Sequence, residues 1–106
     1  MELHPFRGKN NRFGFFDFKD REVIPCVYEN AFRFKEGFAA VQFRSRWGFI
    51  NKRGQLAIPP IYDNVQDFYG GIAPVRRDNK FGFINRKGAI VCNFEYDDVS
   101  FLNRKI

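Results

Sequence analysis

Trp47-Gly48-Phe49-Ile50-Asn51-Lys52-Arg53-Gly54 is the stretch of sequence that decides the fold. Its opening tetrad recurs as Phe13-Gly14-Phe15-Phe16 and as Phe81-Gly82-Phe83-Ile84, so the three tetrads begin 34 residues apart. Identities at the same spacing continue beyond the tetrads, which indicates tandem repeats. The first two copies also share Ile24/Ile58, Pro25/Pro59, Tyr28/Tyr62, Asn30/Asn64, Phe34/Phe68, Gly37/Gly71, Ala39/Ala73 and Val41/Val75.

The repeat unit is predicted to consist of β-strands. A period of this length also suits pairs of helices, so the period alone does not decide the fold. The segments between turn signals are short and rich in aromatic and β-branched residues, and Gly or Pro interrupts every longer stretch. The predicted strands are strand A (13–17, 47–51 and 81–85), strand B (22–25, 55–59 and 89–92) and strand C (3–9, 38–43 and 72–77).

The strand order C–A–B makes each unit a three-stranded antiparallel meander. We therefore expect an all-β fold in which tandem 34-residue repeats stack as a small β repeat array. The length fits a single domain over residues 1–106, with units at approximately 3–37, 38–71 and 72–106. Both an open stack and a closed pseudo-threefold arrangement satisfy these constraints.

The composition excludes several classes of protein. The chain has 106 residues, 15 of them Phe, and a net charge of +6. This aromatic content rules out disorder over most of the chain, and no apolar run approaches the roughly 18 residues of a membrane span. Cys26 and Cys92 lie far apart in sequence, which is typical of reduced thiols and not of a zinc site or a disulfide framework. Because no export signal is visible, we expect a cytoplasmic protein.

The repeated aromatic, glycine and tyrosine positions are expected to be structural. The aromatic residues of strand A share one face and predict a core stripe, while the intervening glycine leaves space for another backbone or ring. Each tyrosine precedes an acid, which we expect to tie down a loop or to pair with Lys or Arg. The alternative for the aromatics is an exposed platform that stacks bases or sugars. These positions are Phe13, Gly14, Phe15, Trp47, Gly48, Phe49, Phe81, Gly82, Phe83, Tyr28, Tyr62 and Tyr96.

Basic residues concentrate in the turns at the two ends of strand A, which predicts two basic rims on a stacked array. Such residues commonly serve as solvated turns that protect sheet edges from aggregation. A ladder of cations could instead contact phosphates, and binding would then depend steeply on salt. The candidate binding residues are Arg44, Arg46, Arg76, Arg77, Lys80, Lys52, Arg53, Arg86 and Lys87.

No catalytic set is recognised in the sequence. His4 is the only histidine and is expected at a frayed terminus, and neither cysteine has a local partner that would activate it. The acids after the tyrosines, Glu29, Asp63 and Asp97, would supply only one or two oxygens at each level of a stack, too few for a metal site. We therefore expect no catalytic residues, no metal and no cofactor, and a protein that is not an enzyme.

The middle copy resembles the WG-repeat family of bacterial proteins. The resemblance rests on the opening stretch with Gly54, on Ile58-Pro59-Pro60 with Tyr62-Asp63, and on Phe68, Gly71, Ala73 and Val75. The outer copies depart from the pattern, since Phe13 and Phe81 replace the signature Trp, Asp20 replaces the turn Gly and Asn93-Phe94 replaces the Pro pair. The resemblance implies a β-rich array, usually attached to other domains, that acts in interactions and has no general catalytic residues.

The leading hypothesis from the sequence is a non-enzymatic repeat module that acts as a protein-binding or scaffolding surface. One alternative is nucleic-acid binding through the basic turn residues, and another is glycan or cell-wall binding through exposed aromatics. Self-association through uncapped repeat ends is a further expectation.

Overall fold

The computed structural model describes residues 2–96, and over residues 93–96 it describes the backbone alone. Eleven strands follow one another with no helix in this part of the chain. They are β1 (His4–Arg7), β2 (Phe13–Phe16), β3 (Glu22–Tyr28), β4 (Asn30–Ala31), β5 (Ala39–Phe43), β6 (Arg46–Ile50), β7 (Leu56–Tyr62), β8 (Asn64–Val65), β9 (Ile72–Arg77), β10 (Lys80–Asn85) and β11 (Ile90–Tyr96).

The strands form three antiparallel sheets, one for each repeat. Sheet 1 has the order β1-β2-β3, sheet 2 the order β4-β5-β6-β7 and sheet 3 the order β8-β9-β10-β11. The prediction of an all-β array of antiparallel C–A–B meanders is thereby confirmed. The two-residue strands β4 and β8 were not predicted, and each adds to the strand C that follows it.

The sheets stack face to face through a set of buried positions that recurs in the next repeat. Phe15 and Ile24 of sheet 1 pack in one cluster with Ala39, Val41 and Ile50 of sheet 2. The equivalent residues one repeat later form the contact between sheets 2 and 3, so both interfaces use the same positions. They are Phe49, Ile58, Ala73, Val75 and Ile84.

Sheet 2 is therefore covered on both faces. Val41 belongs to the cluster shared with sheet 1, whereas its neighbour Ala40 belongs to the cluster shared with sheet 3, and both residues are 0% exposed. Alternation along the strand sends the two side chains to opposite faces. The molecule measures 48 × 26 × 21 Å, and no buried cluster of residues 2–96 joins sheet 1 to sheet 3. Over residues 2–96 the stack is thus open and linear.

A bulge in strand B lies opposite the glycine of strand A. Trp47 pairs with Tyr62 and Phe49 pairs with Ile58, so a two-residue step along β6 is matched by a four-residue step along β7. The same shift occurs between β2 and β3 and between β10 and β11. The extra residues of strand B need room, and a side chain on the opposing strand would occupy it.

The bulge explains why the second residue of the tetrad is glycine in the first two copies. A Cβ placed on Gly48 would overlap the carbonyl oxygen of Ile58 and lie 2.8 Å from the backbone nitrogen of Pro60. A Cβ on Gly14 would meet the carbonyl oxygen of Ile24 in the same way. Backbone atoms at these positions move only with the strand, so glycine is required for the close approach of strands A and B.

The turn between strands A and B is held by one side chain. Asn51 Oδ1 accepts hydrogen bonds from the backbone N–H groups of Arg53 (2.9 Å) and Gln55 (3.0 Å), while Gly54 takes a left-handed φ of 79°. A positive φ at this column favours glycine, and aspartate also tolerates it in the first copy. Asp17 and Asn85 hold the equivalent turns, and Asp20 (φ 61°) and Gly88 (φ 82°) take the left-handed conformation there.

We predict that Gly48→Ala destabilises the protein by about 3 kcal/mol, because the new Cβ forces the β7 bulge away from β6. Gly70→Ala is the matched control, since Gly70 has a φ of 61° but no atom within 4 Å of the added Cβ. That change should cost only the left-handed strain of about 1 kcal/mol. Urea unfolding of the two variants measures the difference, and equal losses would refute the steric role of Gly48.

Candidate functional site

The repeated aromatic residues of strand A lie in the core. Phe15 is 0% exposed, Phe49 is 1% exposed and Trp47 is 7% exposed. The Trp47 ring stacks on Phe32 with centroids 4.8 Å apart and an interplanar angle of 27°. Phe83 is buried as well, and Phe13 and Phe81 are half-buried. These rings fill the stack, so they do not form an open platform for bases or sugars.

The tyrosines of the first two repeats pack against the buried clusters between the sheets. Tyr62 belongs to the cluster between sheets 2 and 3, and Tyr28 packs on the edge of the first cluster. Burial raises the pKa of both phenols, with the charge of Arg77 lowering that of Tyr62 in part. Both are therefore neutral near pH 7. The backbone of Tyr96 pairs with Phe81, but its side chain lies outside the described part of the chain.

The acids after Tyr28 and Tyr62 each fasten two consecutive hairpin turns together. Asp63 Oδ2 accepts a hydrogen bond from the backbone N–H of Asp78 (3.0 Å), and its Oδ1 lies 3.3 Å from Arg46 Nη1. Glu29 does the same one repeat earlier, with the N–H of Ser45 (2.8 Å) and with Arg12 (3.6 Å). Arg46 is thus engaged within the array at one of the two predicted basic rims.

A single carboxylate connects residues from all three repeats at the opposite rim. Glu36 accepts hydrogen bonds from the N–H groups of Gly70 (2.7 Å) and Gly71 (3.0 Å), and it forms an ion pair with Arg86 at 3.0 Å. The bond from Gly71 is the largest cause, and Arg86 the next, of a pKa of Glu36 below its ordinary value of 4.5. Arg86 is therefore engaged within the stack at this rim.

The other candidate binding residues differ in their surroundings. Arg44 lies over the ring of Phe43 at 5.4 Å, and Arg76 is half-buried, with no hydrogen-bond partner for its Nε among the described residues. Arg77 is exposed at the end of β9, and Lys80 begins β10. Lys52, Arg53 and Lys87 are exposed in the turns between strands A and B. In the described part of the chain, these cations lie along the two rims and do not form a single patch.

An apolar surface that we did not predict runs along the strand B side of the stack. Between sheets 1 and 2 it forms a groove of about 200 Å³ lined by Val27, Tyr28, Val41, Phe43, Leu56 and Pro60. Val27 is 47% exposed and Leu56 is 54% exposed. The residues one repeat later, Ile61 (37%) and Ile90 (51%), are apolar and exposed too. We call the exposed members the strand B row: Val27, Phe43, Leu56, Ile61 and Ile90.

The sequence carried a signal for the strand B row. Val27 and Ile61 occupy the same position of the repeat, as do Leu56 and Ile90. Apolar residues that recur at positions outside the core stripe indicate a repeated surface. The strand pattern alone does not show that these positions face solvent, so the repeated surface becomes visible only in the structure.

A second apolar area lies on the outer face of sheet 1, where no preceding sheet covers it. A pocket of about 590 Å³ there includes Phe6, Phe16, Pro25 and Cys26, and the two Phe rings are 4.2 Å apart. Burial, and secondarily the charge of Glu22, raises the pKa of the Cys26 thiol, so the reactive thiolate is disfavoured. Self-association through a repeat end remains a prediction, and this face of sheet 1 is the surface through which it would occur.

The structure corrects one local expectation, because His4 does not lie in a frayed end. It begins β1, pairs with Phe16 and places its Nε2 3.3 Å from the carbonyl oxygen of Asp17. Within residues 2–96, no group of three or more His, Cys, Asp or Glu side chains is arranged to hold a metal ion. In the same part of the chain, no helix has the length and apolar character of a membrane span.

We predict that Glu36→Gln lowers the urea midpoint at pH 7 and that the difference from the native chain shrinks on acidification. The folded pKa of Glu36 is depressed, so its contribution is present above the ordinary value of 4.5 and is lost as the pH falls through the folded pKa. Unfolding curves at pH 7 and at successively lower pH measure this. Glu2→Gln, at an exposed acid without a described hydrogen bond, should have no such effect. A difference that stays constant with pH would contradict the assignment.

The comparisons with known proteins agree with this repeat architecture. The family described as WG containing repeat matches three consecutive segments of the chain, residues 13–46, 47–81 and 81–104. Searches among curated proteins and among solved structures gave no significant match. The matched segments coincide with the period set by the three aromatic-glycine tetrads and cover most of the chain. The chain therefore belongs to the family of WG-repeat proteins.

Proposed function

We propose that the chain is a non-enzymatic repeat module that binds a protein partner through the strand B row. The observation that carries this proposal is the exposure of apolar side chains at matching positions of successive repeats. Leu56 at 54% and Ile90 at 51% exposure are the largest of them. Contiguous apolar surface rimmed by polar residues is typical of protein interaction sites, whereas single exposed apolar residues are ordinary.

The charges support a protein partner better than a nucleic acid. Arg46 and Arg86, which lie on opposite rims, are each held by a carboxylate of the array. These pairs reduce the positive field that a phosphate ladder would need. The glycan alternative depended on exposed aromatics, and Trp47 is 7% exposed. The groove between sheets 1 and 2 is lined by aliphatic and aromatic side chains and has few polar groups to recognise a sugar.

The absence of enzymatic activity is part of the same proposal. The raised pKa of Cys26 disfavours a nucleophilic thiolate, and Asp17, whose pKa is lowered chiefly by the N–H of Arg21, is used to hold its own turn. The named carboxylates each serve a turn or an ion pair. A scaffolding or binding role needs no cofactor.

The test is a comparison of proteins retained from a lysate of the source by three purified chains. Leu56→Lys places a charge in the strand B row, and Tyr69→Lys places the same charge at a residue that is 86% exposed outside the row. We expect specific proteins to be retained by the native chain and by Tyr69→Lys, and lost by Leu56→Lys. Nuclease treatment should leave them bound. Equal retention by all three chains, or release by nuclease, would overturn the proposal.

A further inference from the structure

The groove between sheets 1 and 2 is shaped for one branched apolar side chain. Val27 and Tyr28 of β3 form one wall, Phe43 and Leu56 the other, and its volume is about 200 Å³. The floor is Val41, which is 0% exposed. Such a site buries an aliphatic anchor and offers it almost no hydrogen-bonding group.

The next repeat supplies a second position that corresponds to the first groove through the repeat. Ile61 and Ile90 stand where Val27 and Leu56 stand, and Arg77 stands where Phe43 stands. Phe94 stands where Pro60 stands, and its side chain lies outside the described part of the chain. The charge of Arg77 reaches the Tyr62 phenol, whose position in the repeat is that of Tyr28. A ligand that occupies both positions therefore contacts an apolar site at the first position and an apolar site beside a cation at the second position.

The spacing of the two positions matches an occupant in polyproline II conformation. Sheets that pack face to face lie about 10 Å apart, so the two positions are separated by about that distance along the stack. Three residues of polyproline II helix rise about 9 Å and return to the same face, whereas residues i and i+3 of a β-strand point to opposite faces. A polyproline II segment thus presents side chains i and i+3 to both positions.

The edge of strand B also disfavours the alternative of an added β-strand. Pro25 lies in β3 and Pro59-Pro60 lies in β7, and these residues have no backbone N–H to donate to a neighbouring strand. A polyproline II segment docks through its side chains and does not need a ladder of hydrogen bonds.

The charges around the row select an acidic occupant. Arg44 lies over Phe43 beside the first groove, and Arg77 lies beside the second. Neither guanidinium takes part in an ion pair within residues 2–96. The nearby carboxylates Glu29 and Asp63 are already engaged by turn N–H groups and by Arg12 and Arg46. Among residues 2–96, the charges of Arg44 and Arg77 are therefore not balanced by a carboxylate.

We infer that the strand B row binds an extended acidic peptide segment in polyproline II conformation, with branched apolar side chains at i and i+3 and a carboxylate against Arg77. This inference rests on the proposed function, since it names the chemistry of the partner at the same surface. Apolar anchors give affinity, and the carboxylate fixes the direction in which the segment lies.

The test is selection from a random-peptide phage library against the native chain, followed by fluorescence anisotropy of the enriched peptides. We expect peptides with two aliphatic residues at i and i+3 and at least one acid. Leu56→Lys and Ile61→Lys should each weaken binding about tenfold, and Tyr69→Lys should leave it unchanged. Arg77→Glu should weaken binding of the acidic peptide about tenfold, and it should strengthen binding of the same peptide with Lys in place of Glu. The urea midpoint of every variant verifies its fold, with Leu56→Ser as the replacement if Leu56→Lys is unfolded.

Several outcomes would overturn the inference. One is enrichment of peptides with another spacing or without acids, and another is unchanged affinity in Arg77→Glu. A third is the absence of peptide binding while a fluorescent single-stranded RNA binds and is released by Arg77→Glu. If lysate proteins still depend on Leu56 while the selected peptides lack the pattern, the proposed function stands and this inference fails. If neither lysate proteins nor peptides depend on Leu56, both fail.

Discussion

Each sheet of this protein depends on the face of its neighbour, because no sheet holds a core of its own. Phe15 and Ile24 of sheet 1 are buried in one cluster with Ala39, Val41 and Ile50 of sheet 2. Burying a side chain of the size of Phe or Ile contributes about 1.5–3 kcal/mol, and a sheet whose apolar face is left in water loses that contribution. The stacking contact, used twice at equivalent positions, is what makes the chain a folded unit.

The same stacking fixes the surface that we assign to binding. Strand B must bulge over the glycine of strand A, and in sheets 1 and 2 the bulged strand carries prolines at the sheet edge. Val27, before the chain leaves sheet 1, and Leu56, at the start of β7, then lie on either side of the boundary between two sheets. The groove is consequently a product of the repeat, and its chemistry changes where the repeat changes, as it does from Phe43 to Arg77.

Much of this architecture could be predicted from the sequence, for reasons that particular residues make clear. Strands A and C and the left-handed turn residue follow from short apolar segments bounded by Gly54, Gly88 and their equivalents. The observed strand B is longer than the predicted one, because Pro25 and Pro59, residues that favour a strand end, lie inside β3 and β7. In the structure they sit in an edge strand, where a missing N–H costs little. The strands Asn30–Ala31 and Asn64–Val65 are too short to leave a pattern. Glu36 was missed because its partners, Gly70, Gly71 and Arg86, come from two later repeats.

Native-state hydrogen exchange of the backbone amides tests the central claim most directly, that the sheets are stabilised by stacking and sheet 2 most of all. We expect the slowest exchange in β5 and β6, which are covered from both sides, and faster exchange in β1, at the outer face of sheet 1. We also expect Phe15→Ala to accelerate exchange in β5 as well as in β2, because the two strands share one cluster. Three sheets that exchange at similar rates, with the effect of Phe15→Ala confined to sheet 1, would contradict it.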